Sequence, residues 1–337
     1  MQRTYLYTTQ PLEFDFYQNK EDFKVDEIAL KEFKNKGNFL ILHVQKIELT
    51  TWDMVAEFAE FLQIPAQKIG YAGLKDKHAT TTQYLSFELK YQGQLKKFTH
   101  PQITILGSFK DSNSIQMGDL KGNRFSINLY KVDQISAGRI EKLARKIEKK
   151  GLPNYFGYQR FGRDADALTQ AKDMLAGEIF VEDTKLKNFL ISVYQSAFFN
   201  EWLQERIALS AKEDTFKLLD GDVYLQMDGK IITPKKPLIK EFEAKKVVPT
   251  GLLCGRGVFR ARDEAREIEK KYDDEYLIEK GLRREALIYP EAIQLKYEEK
   301  RKVLNISFTL PKGSYATVFL ENIAGRTFSA SDVKKEY

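Results

Sequence analysis

The sequence predicts an α+β protein whose two ends alternate strand and helix and whose middle is rich in helix. Three observations carry this. "NFLILHVQKIEL" (38–49) is dense in β-branched and aromatic residues, "TTQYLSFEL" (81–89) alternates as a strand does, and the stretch from 165 to 209 repeats its apolar residues at helical spacing. The 337 residues suffice for one large domain or two ordinary ones. An apolar fraction of 42% is enough to build a core.

Taken in order, 38–49 predicts a buried strand, followed by a helix over "TTWDMVAEFAEFLQ" (50–63). Thr50 caps that helix with Asp53 as its capping-box partner. Trp52, Val55, Phe58, Ala59 and Leu62 form its inner face, and Ile64 and Pro65 end it. "KIGYAG" (68–73) predicts a short strand into a turn, so Asp76 is expected on a loop between two strands. "QITILGSF" (102–109) and "NRFSINLYKV" (123–132) predict further strands. "AGRIEKLARKIEKKG" (137–151) predicts an amphipathic helix with Ile140, Leu143 and Ile147 inside and a largely basic outer face, ended by Gly151. Helices follow over 165–178 and 185–209, then a hairpin over 217–232 with two Asp-Gly turns. Residues 242–257 read as a basic segment leading into a glycine-rich loop, and 266–290 as one or two charged helices. Strand and helix return over 301–323, so the helix-rich block reads as an insertion whose ends rejoin the first domain.

The composition narrows the function. A net charge of +6, from 54 basic and 48 acidic residues, allows a patch for an anionic partner without demanding one. The 17 tyrosines and 23 phenylalanines suit unpaired RNA, whose bases stack on rings, although most will be ordinary core. The lone Cys254 rules out an internal disulfide and a cysteine metal cluster, and fits a reducing cytoplasm. His43, His78 and His100 lack zinc-ligand spacing. The N-terminus lacks the apolar core of a signal peptide, and no apolar run is long enough to span a membrane.

Two stretches carry chemistry. In "GYAGLKDKHATTTQ" (70–83) Asp76 stands between Lys75 and Lys77 with His78 beside it. Neighbouring ammonium groups are expected to lower its pKa, which suits a nucleophile or a group that stays ionised rather than a general acid. A turn closed by the aspartate's own backbone is the plainer alternative. In "GLPNYFGYQRFGRD" (151–164) the rings of Tyr155, Phe156, Tyr158 and Phe161 lie among glycines with Asn154, Arg160 and Arg163. Exposed, they would form a stacking surface with an amide able to read a base edge; buried, they would form an aromatic corner. Neither a phosphate-binding glycine loop nor the serine-hydrolase G-x-S-x-G pattern occurs.

Seven stretches, in order and spanning nearly the whole chain, resemble the successive motifs of the tRNA pseudouridine synthase D (TruD) family: "EDFKVDE" (21–27), "YAGLKDKHATTTQ" (71–83), "PNYFGYQRFG" (153–162), "FLISVYQSAFFN" (189–200), "GLLCG" (251–255), "LRREALIYP" (282–290) and "FTLPKGSYATVFL" (308–320). The resemblance implies a pseudouridine synthase catalytic domain over 1–157 and 291–337, with a mixed, mostly antiparallel sheet. It implies an inserted helix-rich α/β TRUD domain over 158–290, with the site in a cleft between the two. The implied reaction is isomerisation of uridine to pseudouridine in tRNA, at uridine 13 in bacterial members. Asp76 falls on the family's catalytic aspartate, Phe156 on the ring that stacks on the target uracil, and Asn154 on the neighbouring asparagine. Neither cofactor nor metal is implied. Lys75, Lys77, Arg160 and Arg163 are further expected substrate contacts, with Lys149 and Lys150 beside them and Lys245, Lys246 and Arg256 opposite. His78 stands where the family tolerates basic residues and is not assigned a catalytic part. A monomer that meets tRNA in the cytoplasm is expected. Two other classes fit the residues less well: an RNA-binding chaperone of the same fold, and a metal-dependent nuclease, which would need further acids beside Asp76.

Overall fold

The computed structural model describes residues 3–7, 10–162, 166–210, 213 and 215–329. By backbone packing the described residues divide into two compact units, one of 13–139 and 290–313, the other of 3–12, 140–289 and 314–329.

The first unit is built on a nine-stranded mixed sheet. Seven strands run in the order Glu291–Glu298, Val303–Pro311, Leu120–Tyr130, Phe23–Ala29, Thr80–Glu88, Phe39–Ile47, Ile103–Asp111. The short strands Asp15–Phe16 and Gly70–Tyr71 pair with Leu120–Tyr130 and Thr80–Glu88. Only Phe23–Ala29 and Thr80–Glu88 run parallel; every other pairing is antiparallel, as the family resemblance implied. The strand Phe39–Ile47 is buried along one face, with Ile41 alone buried on the other. Leu40, Leu42 and Val44 meet the helix Thr51–Leu62 through Met54, Val55, Phe58 and Leu62. Ile41 meets Ala72, Ile115 and Leu120 on the other side.

The helix Thr51–Leu62 begins as its sequence predicts. The Thr50 side chain accepts from Asp53 N and the Asp53 carboxylate accepts from Thr50 N. It ends at Gln63, which turns left-handed at φ 54, one residue ahead of Ile64 and Pro65. Trp52 is not on the inner face: it is 57% exposed, and Thr51 and Met54 take the buried positions instead.

The second unit combines helices with a four-stranded antiparallel sheet ordered Ile231–Ile232, Val223–Gln226, Val247–Leu253, Leu282–Glu285. The helix Gln134–Lys150, inside which the border between the units falls, stops at Gly151, whose φ of 99 an L side chain would resist. The helices Asp166–Ala176 and Thr184–Ser210 match the sequence expectation. Only the second Asp-Gly pair, Asp228-Gly229, turns the hairpin. Two expectations are corrected here. Residues 242–257 contain the strand Val247–Leu253 rather than an open loop. Residues 266–290 hold only the end of a short helix, Asp263–Glu269, before the strands Leu282–Glu285 and Leu287–Ile288. The charged side chains that suggested helix are consumed by partners: Arg283 reaches Glu269 and Thr250, and Arg284 reaches Asn154. Among the described residues no helix is long and apolar enough to cross a membrane.

Candidate active site

Asp76 lies between the strands Gly70–Tyr71 and Thr80–Glu88, as expected. Side chains from three other elements fix its loop. The strand Phe23–Ala29 buries Phe23, Val25 and Glu27 on one face, so Glu27 points inward at the strand's period of two. Its carboxylate pairs with the ammonium of Lys75 at 2.5 Å, both side chains all but sealed from water, and accepts from Tyr84 N at 3.1 Å. Thr51, at the first turn of its helix, accepts from Lys75 N at 2.9 Å and donates to Gln83 Oε1 at 2.9 Å. Lys46 follows Leu40, Leu42 and Val44 in the inward alternation of its strand and is 0% exposed. Its Nζ donates to the backbone carbonyls of Leu49, at 2.6 Å, and of Asp76, at 2.7 Å.

Asp76, Lys77 and His78 remain open to solvent at the tip. The expected lowering of the Asp76 pKa is overturned. The protein packed around the carboxyl raises it above the ordinary aspartate value, and Lys46, Lys75 and His78 only oppose that push. Sequence neighbours suggested two free cations, but Lys75 spends its charge largely on Glu27. Lys75 is therefore a loop anchor, not a side chain open to phosphate, contrary to its expected part as a substrate contact.

In the second unit, the loop after the short strand Leu152–Pro153 is a packed corner rather than an open platform. Asn154, Tyr155, Phe156 and Phe161 are all buried. The Asn154 amide is already used: Nδ2 donates to Glu285 O at 3.1 Å and Oδ1 accepts from Arg284 at 2.7 Å. Arg284 also donates to Asn154 O at 3.1 Å, and its guanidinium lies 3.9 Å from the centre of the Phe156 ring. Burial pulls the Arg284 pKa down to about 10. Phe199 and Tyr315 meet the Phe156 ring edge-on at 5.7 and 6.2 Å. The Phe156 backbone is held at both ends, with N donating to Asn200 Oδ1 at 2.8 Å and O accepting from Asn200 Nδ2 at 3.0 Å. Arg3, itself paired with buried Glu321, adds a further bond to that carbonyl at 2.6 Å. Gly157 leaves room for this packing: a Cβ there would sit 2.8 Å from a Tyr315 ring carbon.

Arg160 is half-buried, bonded to Ser192 at 2.5 Å and Ser196 at 3.2 Å, and burial lowers its pKa. Arg163 lies outside the described residues. Lys245 donates to Glu148 O at 3.1 Å and covers the Tyr289 ring. Lys46, Glu27, Thr51 and Arg284 were missed as site residues. For Lys46 and Glu27 a signal existed: a charged residue at an inward position of an alternating strand. Among the described residues no three His, Cys, Asp or Glu side chains are gathered so as to hold a metal ion.

Asp76 stands on a clamped loop of the first unit, and the aromatic loop of the second is backed by the Arg284 guanidinium. The family model "tRNA pseudouridine synthase D (TruD)" matches residues 1–179 and 166–323. A protein named tRNA pseudouridine synthase D from a Nitratiruptor species is 41% identical, over 97% of this chain and 99% of its own. One of the same name from Wolinella succinogenes is 37% identical over the same shares, and one from Campylobacter jejuni is 35% identical over 93% of each chain. A solved structure from Methanosarcina mazei, titled as a TruD protein, superposes with a TM-score of 0.76 at 22% identity, covering 98% of this chain and 97% of that one; at that identity the likeness is one of fold. This chain belongs to the tRNA pseudouridine synthase D (TruD) family.

Proposed function

We propose that this protein is a tRNA pseudouridine synthase that isomerises uridine 13 of tRNA, with Asp76 as the essential acid. The observation that carries this reading is the loop of Asp76: three buried polar side chains hold it while Asp76 itself stands at the loop's exposed tip. Family membership supplies the reaction class.

In this reaction the bond from uracil N1 to C1′ breaks, the base turns, and a new bond joins C5 to C1′. The C5 proton leaves and N1 gains one, so no cofactor is consumed. The carboxylate of Asp76 would act on the ribose, either by attacking C1′ or by taking the C2′ proton. The target must first leave its stack, which costs a few kcal/mol, and stacking on a ring returns about 1–3 kcal/mol. Phe156 is assigned that ring. A base stacked there would meet a phenyl group already backed by Arg284. Asn154 supports the site by locking Arg284, and Lys77, Arg160 and Arg163 are the proposed phosphate contacts. The protein is expected to work as a monomer in the cytoplasm. Residues 1–157 and 291–337 are assigned to the catalytic domain and 158–290 to an inserted TRUD domain, which should melt cooperatively when produced alone.

The reading is tested by mapping pseudouridine in cellular tRNA with and without this gene. Position 13 should lose its signal on deletion, regain it with the wild-type gene, and not regain it with Asp76→Asn. A signal at 13 that persists in the deletion strain removes the assignment of position. A signal restored by Asp76→Asn removes the catalytic assignment.

A further inference from the structure

We propose that Lys46 is a positioning residue for the reaction: its buried ammonium clamps the backbone carbonyl of Asp76 and so sets where the carboxylate points. The inference rests on Asp76 being the reacting acid.

The geometry is specific. Lys46 is 0% exposed in a strand whose other inward residues are Leu40, Leu42 and Val44. An ammonium withdrawn from water is costly unless its protons are used. Two of the three are: one goes to Leu49 O at 2.6 Å, in the turn that enters the helix Thr51–Leu62, and one to Asp76 O at 2.7 Å. The same side chain thus ties the helix start to the residue presenting the acid. Thr51 makes the parallel tie one residue earlier, to Lys75 N. Lys75 cannot take over the role, because its ammonium faces Glu27. A core that needed only volume at position 46 would be served by Leu or Met.

The clamp has a chemical signature. Burial lowers the Lys46 pKa to about 8, with Asp76 and Asp53 pushing it up and Lys75 pushing it down. Lys46 is charged below that value and loses its proton above it. A neutral amine still donates hydrogen bonds, but weaker ones than the cation, and no longer favours the ionised carboxylate beside it.

The test uses the full chain in excess over a tRNA transcript. It reads the single-turnover rate constant of pseudouridine formation across neutral and alkaline pH, together with the Kd for the same transcript. The wild-type rate constant should decline as pH rises through about 8. Lys46→Met should be about 100-fold slower at neutral pH, as a displaced reacting group is, and should have no alkaline decline. Its Kd should stay within about threefold of wild type, a split that separates chemistry from binding. Lys46→Arg, which keeps a cation at any accessible pH, should recover much of the rate and lose the alkaline decline. A wild-type rate constant that stays flat through the alkaline range overturns the inference, and this measurement does not depend on a variant folding. So does a cooperatively melting Lys46→Met with the wild-type rate, or one whose whole defect lies in Kd. An inactive Asp76→Asn beside an unimpaired Lys46→Met would sink only the role of Lys46. An active Asp76→Asn would sink the reading beneath it.

Discussion

The ammonium of Lys75 faces a carboxylate other than the one beside it in the chain. Its pair with Glu27 is buried at both ends, so it anchors the loop rather than binding RNA. Breaking a buried pair strands a charge in the interior, a loss of about 3–5 kcal/mol. Glu27→Ala should therefore lower the urea midpoint by that much stability, while Glu21→Ala, at an exposed position, should not. A Glu27→Ala protein within about 1 kcal/mol of wild type would show that Lys75 finds another partner. The lone acid at 76 was legible in the sequence, but the direction of its pKa was not. Lys75 and Lys77 are adjacent in the chain, whereas the packing that raises the Asp76 carboxyl depends on the folded surroundings. Glu27, Lys46 and Thr51 lie 25 to 49 residues from Asp76 in sequence; sheet pairing places the strands of Glu27 and Lys46 beside Thr80–Glu88, and Thr51 begins the helix after the Lys46 strand. Likewise the sequence marks Phe156 and Asn154 as unusual but cannot say that both are buried, because an aromatic among glycines suits either a platform or a corner.

At the scale of elements, period and caps were reliable where one face is apolar. The strand Phe39–Ile47 and the helix Thr51–Leu62 fall within two residues of their expected ends. The reading failed where charge hides in pairs. "LRRE" looks like an exposed helical turn, yet it is a sheet strand because Thr250, Glu269 and Asn154 satisfy its two arginines. The border of the insertion belongs to this scale too. Packing divides the chain at Arg139/Ile140, whereas the insertion is proposed at 158–290. An insertion that arrived as a folded piece keeps its own core, and the sheet with strands Val223–Gln226, Val247–Leu253 and Leu282–Glu285 lies wholly inside those limits. The fragment 158–290 should then show a single cooperative melt by circular dichroism. A non-cooperative melt would mean that residues 140–157 are needed to complete it.

For the whole molecule, a charge of +6 is modest, so recognition of tRNA must come from where the cations lie. Counterion release gives the measure. With about three phosphates neutralised, affinity should fall roughly 20- to 40-fold between about 50 and 200 mM salt. Filter binding over that range checks it, and an affinity indifferent to salt would remove the basic contacts from the account.

The most direct measurement takes purified Asp76→Asn in excess over a tRNA transcript and counts pseudouridine after a time in which the wild-type protein converts all of it. The account predicts wild-type affinity for the transcript, an unchanged melt, and no pseudouridine. Full conversion by the folded variant would contradict it.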